Sequence, residues 1–235
     1  MTTGLADALR HGTRALHTEV ESSEFMRTLL RGQMQLKAYC LLLRSLHALY
    51  ASLEAALEAS RGHALLAGIH DPRLFRAAAL ARDLDELHGP GWSGAIAVQP
   101  AGQAYRLHLQ TLASSQPELL LAHAYVRYLG DLSGGQQLNR IVGRSLALPA
   151  GLAGLAFYHF GDEAETAALT AVFRERLAQV PVNERDIGRI VTEAQDGFSR
   201  HRELFEQLAQ AGLRRHPQPE DSERAQGELK TRNWP

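Results

Sequence analysis

Apolar residues recur at helical spacing along nearly all of this chain. Leu5, Leu9, Gly12, Leu16 and Val20 repeat every three or four positions, which predicts one amphipathic helix. The same kind of pattern predicts helices at about 36–57, 72–87, 101–113, 117–146, 162–179 and 183–211, and a shorter, weaker one at about 149–160. No stretch of the sequence shows the sustained alternation of a strand. The pattern therefore predicts an all-α fold.

The length of the chain favours one domain followed by a tail. A chain of 235 residues buries about 70–75% of its unfolded surface, which is enough for one sizeable core. After Leu213 the sequence turns polar and contains proline. We expect one helical domain over residues 1–212 and a disordered tail over residues 213–235.

Charge and cysteine content narrow the class of protein. The 25 basic and 26 acidic residues give a net charge of −1, so we expect no nucleic acid or anionic membrane as a partner. Cys40 is the only cysteine; it lies in an apolar run, which predicts an inert buried thiol. A single cysteine forms no disulfide within the chain, and this favours a reducing compartment, the cytoplasm. The N-terminus lacks a signal pattern, and no apolar run approaches the length of a membrane span.

The spacing of residues along the chain excludes several common kinds of cofactor and metal site. Gly89, Gly91 and Gly94 match a dinucleotide-binding motif, but they follow a helical pattern rather than a strand, so we interpret them as a loop. A di-iron bundle needs Glu-x-x-His on two helices, and the nearest match, Asp85 to His88, occurs once. The sequence contains no zinc-ligand spacing and no phosphate loop.

Three glycines interrupt a strongly helical segment, residues 125–135, which reads YVRYLGDLSGG. Each glycine costs about 1 kcal/mol relative to alanine inside a helix. Gly130 and Gly134 share one line of the helix, and Asp131 and Gly135 share the next. This spacing predicts a smooth strip with one exposed carboxylate, Asp131, at its edge, against which a flat, bulky ligand could lie. A helix kinked at its glycines to pass a close neighbour would give the same sequence.

His17 is the candidate metal ligand among eleven histidines. It lies at the edge of the first apolar stripe, and Glu21 follows on the same helix face four residues later. A carboxylate beside an imidazole fixes its tautomer and raises its basicity, as is common for a metal-bound histidine. A surface His–Glu pair without a ligand is the alternative.

Two stretches resemble the haem oxygenase family. Residues 16–27, beginning Leu-His-Thr-Glu, resemble its proximal helix, and residues 122–136, AHAYVRYLGDLSGGQ, resemble its distal-helix signature nearly letter for letter. Residues 117–120, 154–158 and 204–208 also fit, so the resemblance covers about residues 5–210. It implies a single-domain helical fold with haem sandwiched between a proximal and a kinked distal helix.

The resemblance also implies roles for the two helices. His17 would be the axial haem ligand, with Glu21 as its hydrogen-bond partner. Gly130 and Gly134 would let the distal helix approach the haem face. Gly135 would add flexibility, and Asp131 would organise water on the distal side.

Further positions match the family's contacts around the haem edge. Tyr125, Arg10, Arg14 and Arg174 fall where the family places haem-propionate or nearby polar contacts, and Phe198 falls where an aromatic ring packs near the haem. One departure is Thr170, at a position that is basic in mammalian members, which implies a weaker propionate clamp.

The implied reaction is oxygen-dependent ring opening of haem to biliverdin, with release of CO and Fe²⁺. Haem would be both substrate and cofactor, and electrons would come from a separate reductase or ferredoxin. A bilin-accepting protein is a further implied partner, and the α isomer of biliverdin is the expected product. Animal members carry a hydrophobic C-terminal anchor, whereas this chain ends in a polar tail, so it resembles the soluble bacterial type.

Two other functions fit the same sequence. A haem carrier or sensor would hold haem without opening it, although mere binding does not need Asp131. A non-haem member of the same helical fold, such as a thiamin-related hydrolase, would need a cysteine nucleophile in a pocket, and Cys40 is a poor candidate.

Overall fold

A long apolar helix forms the centre of the fold in the computed structural model, which describes residues 4–148 and 154–212. Within these residues the α-helices are α1 Leu5–Glu21, α2 Glu24–Leu30, α3 Leu36–Ala59, α4 Ala77–Leu87, α5 Trp92–Ala95, α6 Pro100–Ser115, α7 Leu120–Ala124, α8 Gly130–Ser145, α9 Glu163–Ala178 and α10 Glu184–Gly212. No strand occurs in either described range. The prediction of an all-α fold is confirmed.

Helix α3 is the core element. Its fully buried side chains include Tyr39, Leu43, Leu49, Tyr50 and Leu53, and it packs against α4, α6, α7 and α10. By length and composition α3 could cross a membrane, with a mean hydropathy of 1.2 over an 18-residue window, but 67% of that window is buried inside the structure. Its apolar character therefore reflects burial of one helix on nearly all sides.

Helix α1 lies along α10, and Gly12 marks their closest approach. A Cβ atom at Gly12 would lie 2.5 Å from Cγ1 of Val191, so a side chain there would push the helices apart. The amide of Gln195 donates a 2.8 Å hydrogen bond to the Gly12 carbonyl. The apolar stripe predicted for this helix faces α10 in the way its spacing requires, with Leu5 and Leu9 buried.

The predicted helix at 117–146 is present but irregular. A 3₁₀ turn, Pro117–Leu119, leads into α7, and a π-helical turn, Tyr125–Leu129, separates α7 from α8. π turns of this kind concentrate at functional sites. The irregularity lies just before the glycines.

Tertiary contacts set other element boundaries. Only the turn Pro72–Leu74 and α4 form within the helix predicted at 72–87, because the buried Glu54 carboxylate accepts the backbone N–H groups of Arg76 and Ala77 and so caps α4. The predicted loop at 88–94 contains the start of α5. Helix α2, which the apolar pattern did not predict, is capped by the Ser23 hydroxyl.

The weak helix predicted at 149–160 is partly outside the described residues. Of this segment the structure describes residues 154–160, which contain a 3₁₀ turn, Ala156–Tyr158. Asp83 on α4 holds the turn by accepting the backbone N–H groups of Ala156 and Phe157 at 2.7 and 2.8 Å. The tail expected at 213–235 also lies outside the described residues.

Candidate active site

The imidazole of His17 lies on α1 at the surface, with 52% of its side chain exposed. Its ring meets Phe198 of α10 edge-on, with 5.8 Å between ring centroids. The Nδ1 atom of His17 lies 3.4 Å from Oε2 of Glu21. Since Nδ1 faces this carboxylate, the opposite nitrogen, Nε2, is the atom available to an incoming ligand.

The glycine strip faces open space at two of its three positions. A Cβ atom at Gly130 would have no neighbour within 4 Å, and one at Gly134 would have only Cδ1 of Leu138, at 4.0 Å. At Gly135, by contrast, a Cβ would lie 3.3 Å from the carbonyl oxygen of Tyr158. Gly130 and Gly134 thus expose backbone to a ligand, while Gly135 allows α8 to pack on the Ala156–Tyr158 turn.

A contact joins the His17 helix to the distal segment. The hydroxyl of Thr13, one turn before His17, lies 3.5 Å from the hydroxyl of Tyr125. Thr13 is buried and Tyr125 is half-buried. The polar tip of Tyr125 therefore lies next to α1.

Asp131 is not at an exposed edge, as the helical projection predicted; only 9% of its side chain is exposed. The hydroxyl of Tyr50 donates to its Oδ2 atom, and Nη2 of Arg127 donates to Oδ1 at 3.1 Å. Nε of Arg127 donates in turn to the Tyr50 oxygen at 3.0 Å. The prediction of an exposed Asp131 is wrong because α3 brings Tyr50 over it.

The remaining nitrogen of the Arg127 guanidinium forms a hydrogen bond with a residue of α10. Nη1 donates to Nε2 of His201 at 2.7 Å. Burial, together with the neighbouring charge of Arg127, lowers the pKa of His201 well below its usual value. His201 is therefore a neutral acceptor, and each of the three guanidinium nitrogens has a partner.

The protonation states of Asp131, Arg127 and Tyr50 depend on one another. Burial raises the pKa of Asp131, while Arg127, Tyr50 and Arg76 act to lower it. Burial would lower the pKa of Arg127, but Tyr50 and Asp131 outweigh it and the pKa is raised. An arginine stays protonated in proteins, so the Asp131 carboxylate is the counter-charge that makes a buried Arg127 tolerable. Burial raises the pKa of Tyr50 well above its usual value, so its hydroxyl stays protonated and donates.

The predicted propionate contacts lie on two neighbouring helices. Arg10 and Arg14 are one turn apart on α1, and Arg174 lies on α9, which packs against α1. All three side chains are exposed. Thr170, on α9, turns its hydroxyl to the Thr166 carbonyl at 2.7 Å.

Sequence reasoning missed three members of the network: Tyr50, Arg127 and His201. Arg127 had a usable signal, because it precedes Asp131 by four residues and so shares its helix face. Tyr50 and His201 had none, since they reach Asp131 and Arg127 from helices about 70–80 positions away in the sequence.

Comparison with known proteins identifies the family of this chain. The sequence model of the family described as "Heme oxygenase" matches residues 3–207. Heme oxygenase 2 of Synechocystis is 40% identical over 223 residues, 91% of this chain and 88% of that protein. Human heme oxygenase 1 is 38% identical over 205 residues, 87% of this chain and 71% of that protein.

Solved structures give the same result. The heme and NO complex of Synechocystis heme oxygenase-2 superimposes with a TM-score of 0.86 at 40% identity, covering 89% of this chain and 86% of that one. The heme complex of Synechocystis heme oxygenase-1 gives a TM-score of 0.84 at 32% identity, covering 97% and 100%. The chain therefore belongs to the haem oxygenase family.

Proposed function

We propose that this haem oxygenase binds haem between His17 and the strip formed by Gly130 and Gly134, and opens it to biliverdin. The observation that carries the proposal is the bare strip beside the buried Asp131 network. Because nothing occupies the Cβ positions of Gly130 and Gly134, a planar molecule can lie against backbone there. These features fit haem, whose flat ring needs one axial ligand and one open face.

Haem is the substrate as well as the cofactor, and it supplies the iron at which O₂ is reduced with electrons from an external donor. On the proximal side, His17 would hold the iron through Nε2. Glu21, 3.4 Å from Nδ1, would accept a hydrogen bond from it, fix the tautomer and strengthen the ligand. Phe198 supports the ring of His17 from α10 and limits its rotation.

On the distal side, the chain offers oriented acceptors rather than a cationic side chain. Asp131 is fixed by donors to both of its carboxylate oxygens, from Arg127 and Tyr50. A carboxylate held in this way orders water at the strip and delivers protons through it in a controlled direction. Arg127 directs its three nitrogens at Tyr50, His201 and Asp131, so its charge is used within the network.

The orientation of haem in its plane follows from the charges at the edge. Arg10, Arg14 and Arg174 bind the two propionates, with Tyr125 as a neutral partner. Thr170 adds no charge. Three arginines hold one main orientation, so the α isomer of biliverdin is the main product.

The proposal extends to partners and location. Reduction requires a separate reductase or ferredoxin, and a bilin-accepting protein takes up the product. The single cysteine and the near-neutral charge are consistent with work in the cytoplasm.

The test is haem binding and turnover by a His17→Ala variant. We expect it to lose the axial-ligand absorption spectrum and biliverdin formation, and added imidazole to restore part of both. His11→Ala is the matched control, because His11 is an exposed histidine on the same helix whose Nδ1 contacts its own backbone at the Asp7 carbonyl. An unchanged haem spectrum in His17→Ala would mean that another histidine is the haem ligand. A wild-type protein that keeps its haem spectrum with reductant and oxygen would be a carrier instead.

A further inference from the structure

A second histidine cluster lies outside the proposed haem site, where α6, α7 and α10 meet. His108 of α6 and His123 of α7 both direct Nε2 at Oε1 of Glu193 on α10, at 2.6 and 2.8 Å. Asp196, one turn further along α10, has Oδ2 3.6 Å from the same nitrogen of His108. Two imidazoles and a carboxylate from three helices thus converge on one point.

The ligand atoms are already close to metal-binding geometry. One nitrogen of each histidine and one oxygen of Glu193 all lie within 4.8 Å of one another. Ligands about 2.0–2.1 Å from a tetrahedral metal are about 3.3 Å apart. To admit a cation, Nε2 of His108 and Nε2 of His123 need to withdraw from Glu193 by less than about 1 Å, and the widest pair of ligand atoms, at most 4.8 Å apart, needs to close by up to about 1.5 Å.

A second layer of contacts orients the buried histidine. His123 is fully buried, and its Nδ1 lies 2.8 Å from the hydroxyl of Tyr105. The hydroxyl can accept a hydrogen bond from the Nδ1–H tautomer, which leaves the lone pair on Nε2 free for a metal. Gly197 makes room for this pair, because a Cβ there would lie 3.3 Å from both His123 Nδ1 and the Tyr105 oxygen.

The cluster opens to solvent on one side. His108 and Glu193 line a surface groove of about 610 Å³, through which a cation could enter and water could complete its coordination. Arg185 and Arg189 also line the groove. Arg189 is paired with Glu118 and Asp186, so its charge is already balanced.

We propose that His108, His123 and Glu193 form a binding site for one divalent transition cation, zinc or ferrous iron. Two imidazoles and one carboxylate with open positions suit these borderline cations and not Mg²⁺ or Ca²⁺, which prefer all-oxygen ligands. The cation joins α6, α7 and α10 and is distinct from the iron of haem, whose proposed ligand is on α1.

The experiment is equilibrium dialysis of the haem-loaded full chain against Zn²⁺, and anaerobically against isotopically enriched Fe²⁺, with metal content measured by mass spectrometry. We expect one bound cation per chain beyond the haem iron. The isotope separates added iron from haem iron, and the two arms decide which cation the site prefers. No stoichiometric binding of either metal at micromolar concentration would overturn the proposal.

Variants locate the site. Glutamine at position 108 can still donate to Glu193 but is a poor metal ligand, so His108→Gln should fold and bind the cation at least tenfold more weakly. His11→Ala removes an exposed histidine elsewhere and should bind as the wild type does. Equally tight binding of the cation by His108→Gln and the wild type would overturn the proposed location of the site. X-ray absorption of zinc in the wild-type protein needs no variant: a coordination shell with fewer than two imidazoles would also overturn it.

Discussion

Removal of the Asp131 carboxylate should lower the free energy of unfolding, because it leaves the buried charge of Arg127 without its counter-charge. Only 9% of the Asp131 side chain and 11% of the Arg127 side chain are exposed. Breaking a buried ion pair by deleting one partner destabilises a protein by about 3–5 kcal/mol. Arg127 retains Tyr50 and His201 as acceptors, so we expect Asp131→Ala to lose about 2–4 kcal/mol.

The assay is urea unfolding followed by circular dichroism, with a parallel thermal melt. A loss of this size lowers the Tm of a domain of this length by about 4–16 °C. Asp131→Asn keeps an oxygen acceptor for Arg127 and should lose less than Asp131→Ala. Glu203→Ala, which removes an exposed carboxylate, should stay within about 0.5 kcal/mol of the wild type.

A double-mutant cycle identifies the cause. If the unpaired guanidinium is what destabilises Asp131→Ala, then adding Arg127→Met should recover part of the loss and give a coupling energy of about 2 kcal/mol. A loss below about 0.5 kcal/mol in Asp131→Ala, or additive losses in the double variant, would refute the buried ion pair.

Further predictions concern pH, packing and product. Burial raises the pKa of Glu54 to about 7 although the backbone N–H groups at the start of α4 oppose the rise. The native state then holds a proton that the unfolded chain loses near pH 4.3, so the free energy of unfolding falls by up to about 3 kcal/mol as pH rises from about 4.3 to 7. Glu54→Gln should remove that slope in urea titrations, and an unchanged slope would contradict the assignment. Gly135→Ala should destabilise the protein by about 1 kcal/mol through its contact with a backbone oxygen, whereas Gly130→Ala, facing open space, should stabilise the helix by up to about 1 kcal/mol and weaken haem binding in a spectroscopic titration. If Gly130→Ala binds haem as tightly as the wild type, the strip does not face the ligand. Arg174→Glu should broaden the mixture of biliverdin isomers seen by chromatography while leaving the His17 ligand spectrum intact; a single α product from this variant would remove Arg174 from the propionate contacts.

The helices were largely predictable because burial imposes a periodic pattern on the sequence. Leu5 and Leu9 face α10 as their spacing predicts. Boundaries set by distant groups were not predictable: α4 begins at Ala77 because Glu54, 23 residues earlier, caps it. The π turn likewise has no signature in apolar spacing.

The candidate site divides in the same way. The pairing of His17 with Glu21 follows from local helix geometry, and the structure brings them to 3.4 Å. The surroundings of Asp131 do not follow, since a helical projection shows which residues share a face but not which helix covers that face.

The position of the missed residues nevertheless has a physical reason. A flat ligand can lie against Gly130 and Gly134 only if no side chain projects over them, so the groups that hold Asp131 must approach from the opposite side. Tyr50 of α3 donates to Asp131, and His201 of α10 accepts from Arg127. Arg127, from the same continuous segment, connects the two through its three nitrogens. A bare strip therefore requires that its single carboxylate be oriented through the core, and the groups that orient it come from α3 and α10, outside the distal-helix signature at residues 122–136.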